Sequence, residues 1–396
     1  MESEDLKYIF ENTQSQKMNI YKRISTLNTM KQYLNLTKKM GFNHEEDIGN
    51  NNQKAVVLKR IDGTVIGELK NSKYPSNSRE AMQLVKDKLI TEVLLRNSNI
   101  NTTNSTLYSG EECSKAKNEF FSTDQNVKAV IKPTDMSQGK GVNVGVSFKD
   151  FEYYWENTVA EMKRHGKRDI EILVQEYIKG FEARAVVIEG KLISIVARVP
   201  AHVVGDGKNT IDKLVQLKNN QRKKCAHLGK KLINFDSKMK RFLSTTGYQP
   251  GDIPEKDEYV LLTSVSNTSL GGDMVDITND VSEETKTLAV NSIAAVPGLF
   301  SGGVDIMMRD FNDKFPSTIE INSWPMLQST IYPTYGRPKD PQKYFLESFY
   351  ARDQYLNEPK QLYNIENAQD YIKNYLEFLQ IKSDLHKKQL LKNYLS

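Results

Sequence analysis

The stretch Gly302 to Pro325, GGVDIMMRDFNDKFPSTIEINSWP, constrains this chain more than any other. Its pattern predicts two strands, Val304 to Met308 and Ser317 to Asn322, joined by a polar turn from Arg309 to Lys314. Successive side chains on a strand point to opposite faces, so Glu320 and Asn322 share one face while Ile319 and Ile321 share the other. Asp305 on the partner strand can meet that polar pair across the ladder. Two carboxylates and an amide oxygen converging on one point make a hard oxygen site. Such a site suits magnesium, which takes few protein ligands and fills its shell with water and phosphate. A hairpin whose polar face is merely solvated fits the same residues, so the decision rests on the sequence upstream.

With 396 residues the chain can form two or three domains with sizeable cores. It is polar, with 38% apolar residues and a mean hydropathy of −0.58. No apolar run approaches the ~18 residues a membrane-spanning helix needs. The start, MESEDLKYIF, lacks the basic-then-apolar order of a signal peptide. Cys113 and Cys225 stand in unrelated contexts, which argues against a disulfide framework or a thiolate metal site. These features predict a cytoplasmic protein without a membrane partner. Net charge is +5, from 55 basic and 50 acidic residues, and it is thinly spread. That surplus suits a small anionic ligand such as a nucleotide and gives little ground for nucleic acid.

Residues 1–50 read as polar helix, with Tyr8, Phe10, Ile20, Tyr21, Ile24 and Leu27 in a loose helical period and Gly49 to Asn52 as a closing loop. Ala55 to Leu58 and Val65 to Leu69 predict a hairpin around Asp62-Gly63. A helix follows, capped by Asn77, with Ala81, Val85, Leu89 and Val93 inside and Lys86, Lys88 and Glu92 outside or at the edge. Residues 97–112 read as a polar loop. Ala129 to Ile131 is a strand ending in Lys132-Pro133. The segment Thr134 to Val142 is a Ser/Gly loop, and Asn143 to Val146 a second strand. Such a loop can lay backbone N–H groups over phosphate oxygens, although an ordinary glycine hairpin has the same look. A helix from Phe148 to about His165 is expected, with Ser147 as cap and Gly166 as stop. A strand from Ile170 to Val174 follows, then two strands around Glu189-Gly190. Thr210 caps a further helix, and 226–257 reads as a basic, turn-rich connection. Tyr259 to Thr263 is a strand, Ser282 to Ala295 a helix, and 341–396 a helical tail.

In this order the segments VIKPTDMSQGKGV, VQEYIKGFEARAVVIEGK, ARVPAHVVGDGKNTIDKLVQLKN, NTSLGGDMVDIT, GGVDIMMRD and EINSWPMLQSTIYPTYGRP resemble the ATP-grasp carboxylate–amine ligases. The likeness is to the glutathione-synthetase module of the bifunctional bacterial enzyme and to cyanophycin synthetase. It runs from about Ser78 to Asp340. It implies an α+β ATP-grasp fold in which two subdomains with antiparallel sheets grip ATP. The division it suggests is an N-terminal segment 1–77, an ATP-grasp domain 78–340 with a lid at about 127–175, and the tail 341–396.

The resemblance also implies roles. Lys88 and Lys132 would reach ATP phosphates, and Ser137, Gln138, Gly139, Gly141 and Val142 would form the lid over them. Gln175, Glu176, Tyr177 and Ile178 would meet adenine, and Glu182 the ribose. Asp305, Glu320 and Asn322 would hold magnesium, for which manganese can stand in. Arg198 would hold the substrate carboxylate or its phosphorylated form, sharing the catalytic work with Lys132; a structural pairing of Arg198 with Asp206 is the alternative. Thr330 stands where the family often has histidine, and Ser323-Trp324-Pro325-Met326 replaces Asn-Pro-Gly, so the acceptor side departs from pattern. The activity implied joins a small-molecule carboxylate, in an amino acid or short peptide, to an amine. Rival readings are a small-molecule kinase using the same grip and a non-catalytic nucleotide-binding regulator. A homo-oligomer stays open.

Overall fold

The computed structural model describes every residue except 15, 16, 23, 25–27, 49–53, 71, 72, 135, 137–139 and 396. Two helices come first, α1 (Ser3–Asn12) and α2 (Thr29–Lys39). Leu6, Ile9 and Phe10 are buried on one face of α1, and the Asn28 side chain caps α2 by accepting from Lys31 N–H. The expected helical period breaks between them. Ile20, Tyr21 and Ile24 lie outside both helices, while Leu27 and the Gly49 to Asn52 loop fall outside the described residues. Asn19 and Tyr21 instead spend their side-chain donors on the carbonyls of Pro333 and Gly336. His44–Ile48, expected to be helical, forms β1 because its register pairs it with β2 (Lys54–Lys59). Strand β3 (Val65–Lys70) completes this three-stranded sheet through the expected Asp62-Gly63 turn.

The single helix expected after Asn77 is two, α3 (Arg79–Leu84) and α4 (Lys88–Asn97). Ser78 caps the first and Asp87 the second. Asn77 is used elsewhere: its amide donates to Ser301 O and accepts from the N–H groups of Phe300 and Ser301. A new cap at Asp87 resets the helical phase, so Val93 is 38% exposed and Glu92 only 4%, the reverse of the expected faces.

The expected polar loop at 97–112 holds β4 (Thr106–Ser109), followed by α5 (Cys113–Phe120). Then come β5 (Ala129–Pro133), β6 (Asn143–Val146), α6 (Phe151–Arg164) and β7 (Glu171–Glu176). These strands form an antiparallel sheet in the order β4-β7-β5-β6. Phe151, Trp155 and Met162 of α6 pack on its Ile131, Ile172 and Val174. Asp150, not Ser147, takes the cap position of α6, and Gly166 follows its end at φ 75° as expected.

The larger sheet uses β8 (Phe181–Ile188) and β9 (Lys191–Val199), paired around Glu189 and Gly190, both with positive φ. Next are β10 (His202–Val204), α7 (Ile211–Lys223) capped by Thr210, α8 (Ser237–Thr245), β11 (Tyr259–Leu261) and β12 (Asp273–Asp276). Helix α9 (Glu283–Ala295), capped by Ser282, leads into β13 (Gly302–Met308) and β14 (Ser317–Asn322). The strand order is β12-β9-β8-β13-β14. Alternate residues of these strands, among them Ala183, Ala185, Val304, Ile306 and Ile321, join Ile293 of α9 in the main core. Helices α10 (Gln328–Ile331), α11 (Pro341–Asn357) and α12 (Ala368–Leu395) complete the chain. Lys382 of α12 donates to the carbonyls of Ala294, Val296 and Leu299, closing the C-terminal end of α9.

Candidate active site

The hairpin register puts Asp305 opposite Glu320 and Gly303 opposite Asn322. Asp305, Glu320 and Asn322 therefore belong to one face of the sheet. A bulge at Ile319, where the register shifts, sits beside Glu320. On its other side β13 pairs with β8, with Asp305 opposite Arg184 and Met307 opposite Glu182. Strand alternation brings Glu182 and Arg184 to the same face, and β9 adds Arg198.

These charges interlock. Arg184 donates Nε to Asp305 Oδ1 and Nη2 to Oδ2, each at 2.5 Å. Arg198 Nη1 donates to Glu182 Oε1 at 2.5 Å and stands 3.7 Å from Asp305 Oδ2. Arg198 is thus partnered by Glu182 rather than by Asp206, which accepts from its own turn at Lys208 and Asn209. Burial and the charge of Asp305 raise the Glu182 carboxyl above its usual range, against the pull of Arg198 and Arg184. Burial opposes the Arg184 charge, but Asp305 outweighs it and leaves the guanidinium held more firmly than usual.

Lys132 lies at the end of β5 and is 5% exposed. Burial lowers its pKa to about 8, with Glu92 and Glu320 supporting the charge and Lys88 opposing it. Lys88 is half-buried and donates to the carbonyls of Met136 at 2.9 Å and Thr134 at 3.2 Å, gripping the base of the expected lid. Ser137, Gln138 and Gly139 lie outside the described residues. Gly141 has φ +68°, and a Cβ there would meet Pro133 Cγ at 3.0 Å. Val142 is half-buried beside it. At the expected hinge, Gln175 and Glu176 pair with Val130 and Ala129 in the ladder. Tyr177 N–H donates to Lys128 O at 2.8 Å, so that group is already committed, and Ile178 follows, half-buried.

Two charged residues at the site escape the sequence reading. Arg184 alternates with Glu182 between Phe181, Ala183 and Ala185, a polar period of two that could have exposed it. Glu92 is hidden by the phase reset at Asp87. On the acceptor side, Thr330 bonds Ser194 through its hydroxyl at 2.8 Å, and Trp324 packs against Tyr33 and Tyr74.

Among the described residues no three His, Cys, Asp or Glu side chains gather at one point. A divalent ion here would rest on Asp305, Glu320 and the Asn322 amide. The donor types fit magnesium, and because the buried Asn322 Nδ2 has no hydrogen-bond partner, nothing on that nitrogen holds the amide from turning its oxygen, the atom that can ligate a cation, toward an ion. Both Asp305 oxygens accept from Arg184, so an ion would share Asp305 with the guanidinium.

Residues 85–326 match the family model described as ATP-grasp domain. The chain belongs to the ATP-grasp family. It is 30% identical over 220 residues to cyanophycin synthetase of Synechocystis sp., a match covering 53% of this chain and 24% of that protein. It is 29% identical over 294 residues to the bifunctional glutathione biosynthesis protein of Enterococcus faecalis, covering 71% of this chain and 37% of that one. The crystal structure of a bifunctional glutathione synthetase from Pasteurella multocida matches with a TM-score of 0.60 at 26% identity, over 81% of this chain and 43% of that one. This ATP-grasp chain thus spans less than half the length of these relatives. The expected resemblance and the α+β ATP-grasp fold both hold.

Proposed function

We propose that this ATP-grasp chain is an ATP-dependent carboxylate–amine ligase. The observation that carries the reading is the row of Arg198, Glu182, Arg184, Asp305 and Glu320 on one sheet face, with buried Lys132 in electrostatic reach of Glu320. A nucleotide triphosphate needs this mixture: cations for its phosphates and carboxylates to hold the metal that accompanies it. Lys132 and Lys88 would neutralise phosphate, with the loop through Ser137, Gln138, Gly139, Gly141 and Val142 closing over it. Gln175 to Ile178 would border adenine and Glu182 the ribose. Magnesium, or manganese with the same taste for hard oxygen, would rest on Asp305, Glu320 and Asn322 and supply positive charge beside the β- and γ-phosphates. The units 1–77, 78–340 and 341–396, with the lid at about 127–175, belong to the same reading.

The substrate carboxylate attacks the γ-phosphorus, giving an acyl phosphate and ADP. Arg198 holds the acyl phosphate. The amine then attacks the carbonyl carbon, inorganic phosphate leaves, and the amine's proton passes to solvent or phosphate. The relatives named cyanophycin synthetase and glutathione synthetase favour an amino acid or short peptide as the acid. Among the described residues no helix is long and apolar enough to cross a membrane. A cytoplasmic setting, where ATP is available and two free cysteines stay reduced, fits the reading.

The test is to screen amino acids and short peptides for ADP release with ATP and magnesium, then add hydroxylamine. A mixed anhydride is intercepted as a hydroxamate, which should form in step with ADP and vanish in Lys132→Ala. Substrate-stimulated ADP formation with a stable phosphate ester and no hydroxamate would mean a kinase instead.

A further inference from the structure

The chain just after β14 forms a rim along the charged row of the site. In the register Asn322, Gly303, Val186 and Ser194 lie abreast across β14, β13, β8 and β9. They share the face that carries Glu320, Asp305 and Arg184 two residues further along each strand, a step of about 7 Å. Residues 325–336 cross the sheet along this neighbouring row. Pro325 stands over Gly303, where an added Cβ would meet Pro325 Cβ at 3.1 Å and Arg184 Cδ at 3.5 Å. Leu327 joins Val186 in one buried cluster, and the Thr330 hydroxyl bonds that of Ser194 at 2.8 Å. Tyr335 then runs parallel to Val275 of β12. Its N–H donates to Met274 O, its carbonyl accepts from Asp276 N–H, and Thr334 Oγ1 accepts from Met274 N–H. Met274 is the ladder partner of Arg198. The far end of the rim is thus bonded to the strand beside Arg198.

That far end is held from outside by the N-terminal segment. Asn19 spends all its donors there: its N–H donates to Thr334 O at 2.8 Å, and its Nδ2 donates to Gly336 O at 2.8 Å and to Pro333 O at 3.0 Å. An amide nitrogen carries two protons, so one side chain ties together two carbonyls of the loop. Tyr21 adds a bond from its hydroxyl to Pro333 O at 2.9 Å and sets its ring edge-to-face with Tyr332, centroids 5.2 Å apart. Nearer the start of the rim, Thr29 Oγ1 accepts from Gln328 Nε2 at 3.0 Å. Asn19, Tyr21 and Thr29 all precede residues 85–326, the part that matches the ATP-grasp domain.

We propose that the N-terminal arm around Asn19 and Tyr21 is a substrate-side clamp, with Asn19 as its main positioning residue. It fixes the rim and, through the bonds of Tyr335 to Met274, the β12 side of Arg198. The carboxyl of the acid is then confined between Arg198 and the rim, within reach of the γ-phosphate. This rests on the ligase reading above. The nucleotide side is left to other elements, with Lys132 on β5, Lys88 on α4 and Gln175 on β7. Loosening the arm therefore separates the two substrates.

The test is Asn19→Ala in the full chain. Magnesium-ATP affinity is measured by calorimetry, and hydroxamate formation is followed with hydroxylamine as the amine and free L-amino acids and dipeptides as acids. For the acid that wild type turns over fastest, Asn19→Ala should raise KM about tenfold with kcat within about threefold, the mark of lost ground-state binding. Magnesium-ATP affinity should stay within about twofold of wild type, as expected of sites that share no partner. Hydrogen exchange, read by mass spectrometry in the peptides carrying Met274, Asp276 and Tyr335, should be about tenfold faster, with β14 unchanged. Tyr21→Phe keeps the ring on Tyr332 but loses the bond to Pro333. It should show the same pattern to a smaller degree, and it must do so if Asn19→Ala fails to fold. An unchanged acid KM, or a parallel fall in acid and magnesium-ATP binding, overturns the proposal, the second outcome making the arm a plain support of the fold. Unchanged exchange at Met274, Asp276 and Tyr335 overturns it without any acid in hand. A wild type that forms no hydroxamate from any acid would instead overturn the ligase reading beneath it.

Discussion

Arg184 grips Asp305 with both prongs of its guanidinium, Nε on Oδ1 and Nη2 on Oδ2, each at 2.5 Å. Asp305 is 6% exposed, so this fork is what compensates its carboxylate for the loss of water. Removing one member of a buried pair costs more than the pair itself contributes, because the other is left uncompensated. Arg184→Ala should therefore lower the unfolding free energy by about 3–5 kcal/mol. Urea unfolding measures this, and a loss below about 1 kcal/mol would place the pair among weak surface contacts.

The same pair separates the two carboxylates of the hairpin. Asp305→Asn and Glu320→Gln should both abolish turnover. Only the first should also destabilise the fold, since it strips Arg184 of its counter-charge, whereas no ion pair holds Glu320 among the described residues. Thermal unfolding set beside ADP release checks this, and equal stability of the two variants would argue against it.

The hairpin was legible because it obeys one simple period. Polar Asp305, Glu320 and Asn322 alternate with Val304, Ile319 and Ile321, and the observed register keeps that alternation from the Gly303/Asn322 pair to the Asp305/Glu320 pair, with the one-residue bulge at Ile319 shifting it only beyond the polar trio. Glu92 was not legible, because a helical stripe read forward from Ala81 assumes one unbroken helix, and Asp87 restarts it. Short edge strands hide for another reason. In β4 only Tyr108 is buried, so its four residues carry no alternation to read. Helix α8 did leave a signal within the basic stretch 226–257: Asp236 accepts from two N–H groups ahead of buried Met239 and Leu243, spaced four apart. The partners of Arg198 were a question of distance in space, and only the sheet register answers it.

Gly141 tests the base of the lid. Its φ of +68° lies in the left-handed region, and an added Cβ would press Pro133 Cγ at 3.0 Å. Gly141→Ala should cost about 1–2 kcal/mol for the backbone conformation alone. Pro133 ends the strand that carries Lys132, so magnesium-ATP affinity should fall with stability. Calorimetric binding beside thermal unfolding checks both, and unchanged values in each would show that this turn adapts freely.

His202 predicts the response to acid. It is fully buried, its Nδ1 lies 2.9 Å from Pro200 O, and Lys218 Nζ lies 3.1 Å from its Nε2. Nδ1 therefore donates and Nε2 accepts, which leaves no room for a second ring proton. Burial and the Lys218 charge push its pKa down to about 3 from an ordinary 6.5. Between those values the unfolded chain binds a proton that the folded chain refuses. The stability His202 contributes is thus complete above about pH 6.5 and drains away as pH falls toward 3, by up to about 1.4 kcal/mol per pH unit. His227, lowered to about 4 by burial, adds a slope of the same sign. Urea unfolding at pH 7, 6 and 5 should show the decline. His202→Gln, which can still donate to Pro200 and accept from Lys218, should be measurably flatter while keeping the share due to His227. Identical slopes in the variant and the wild type would mean that His202 takes up its proton without unfolding the chain.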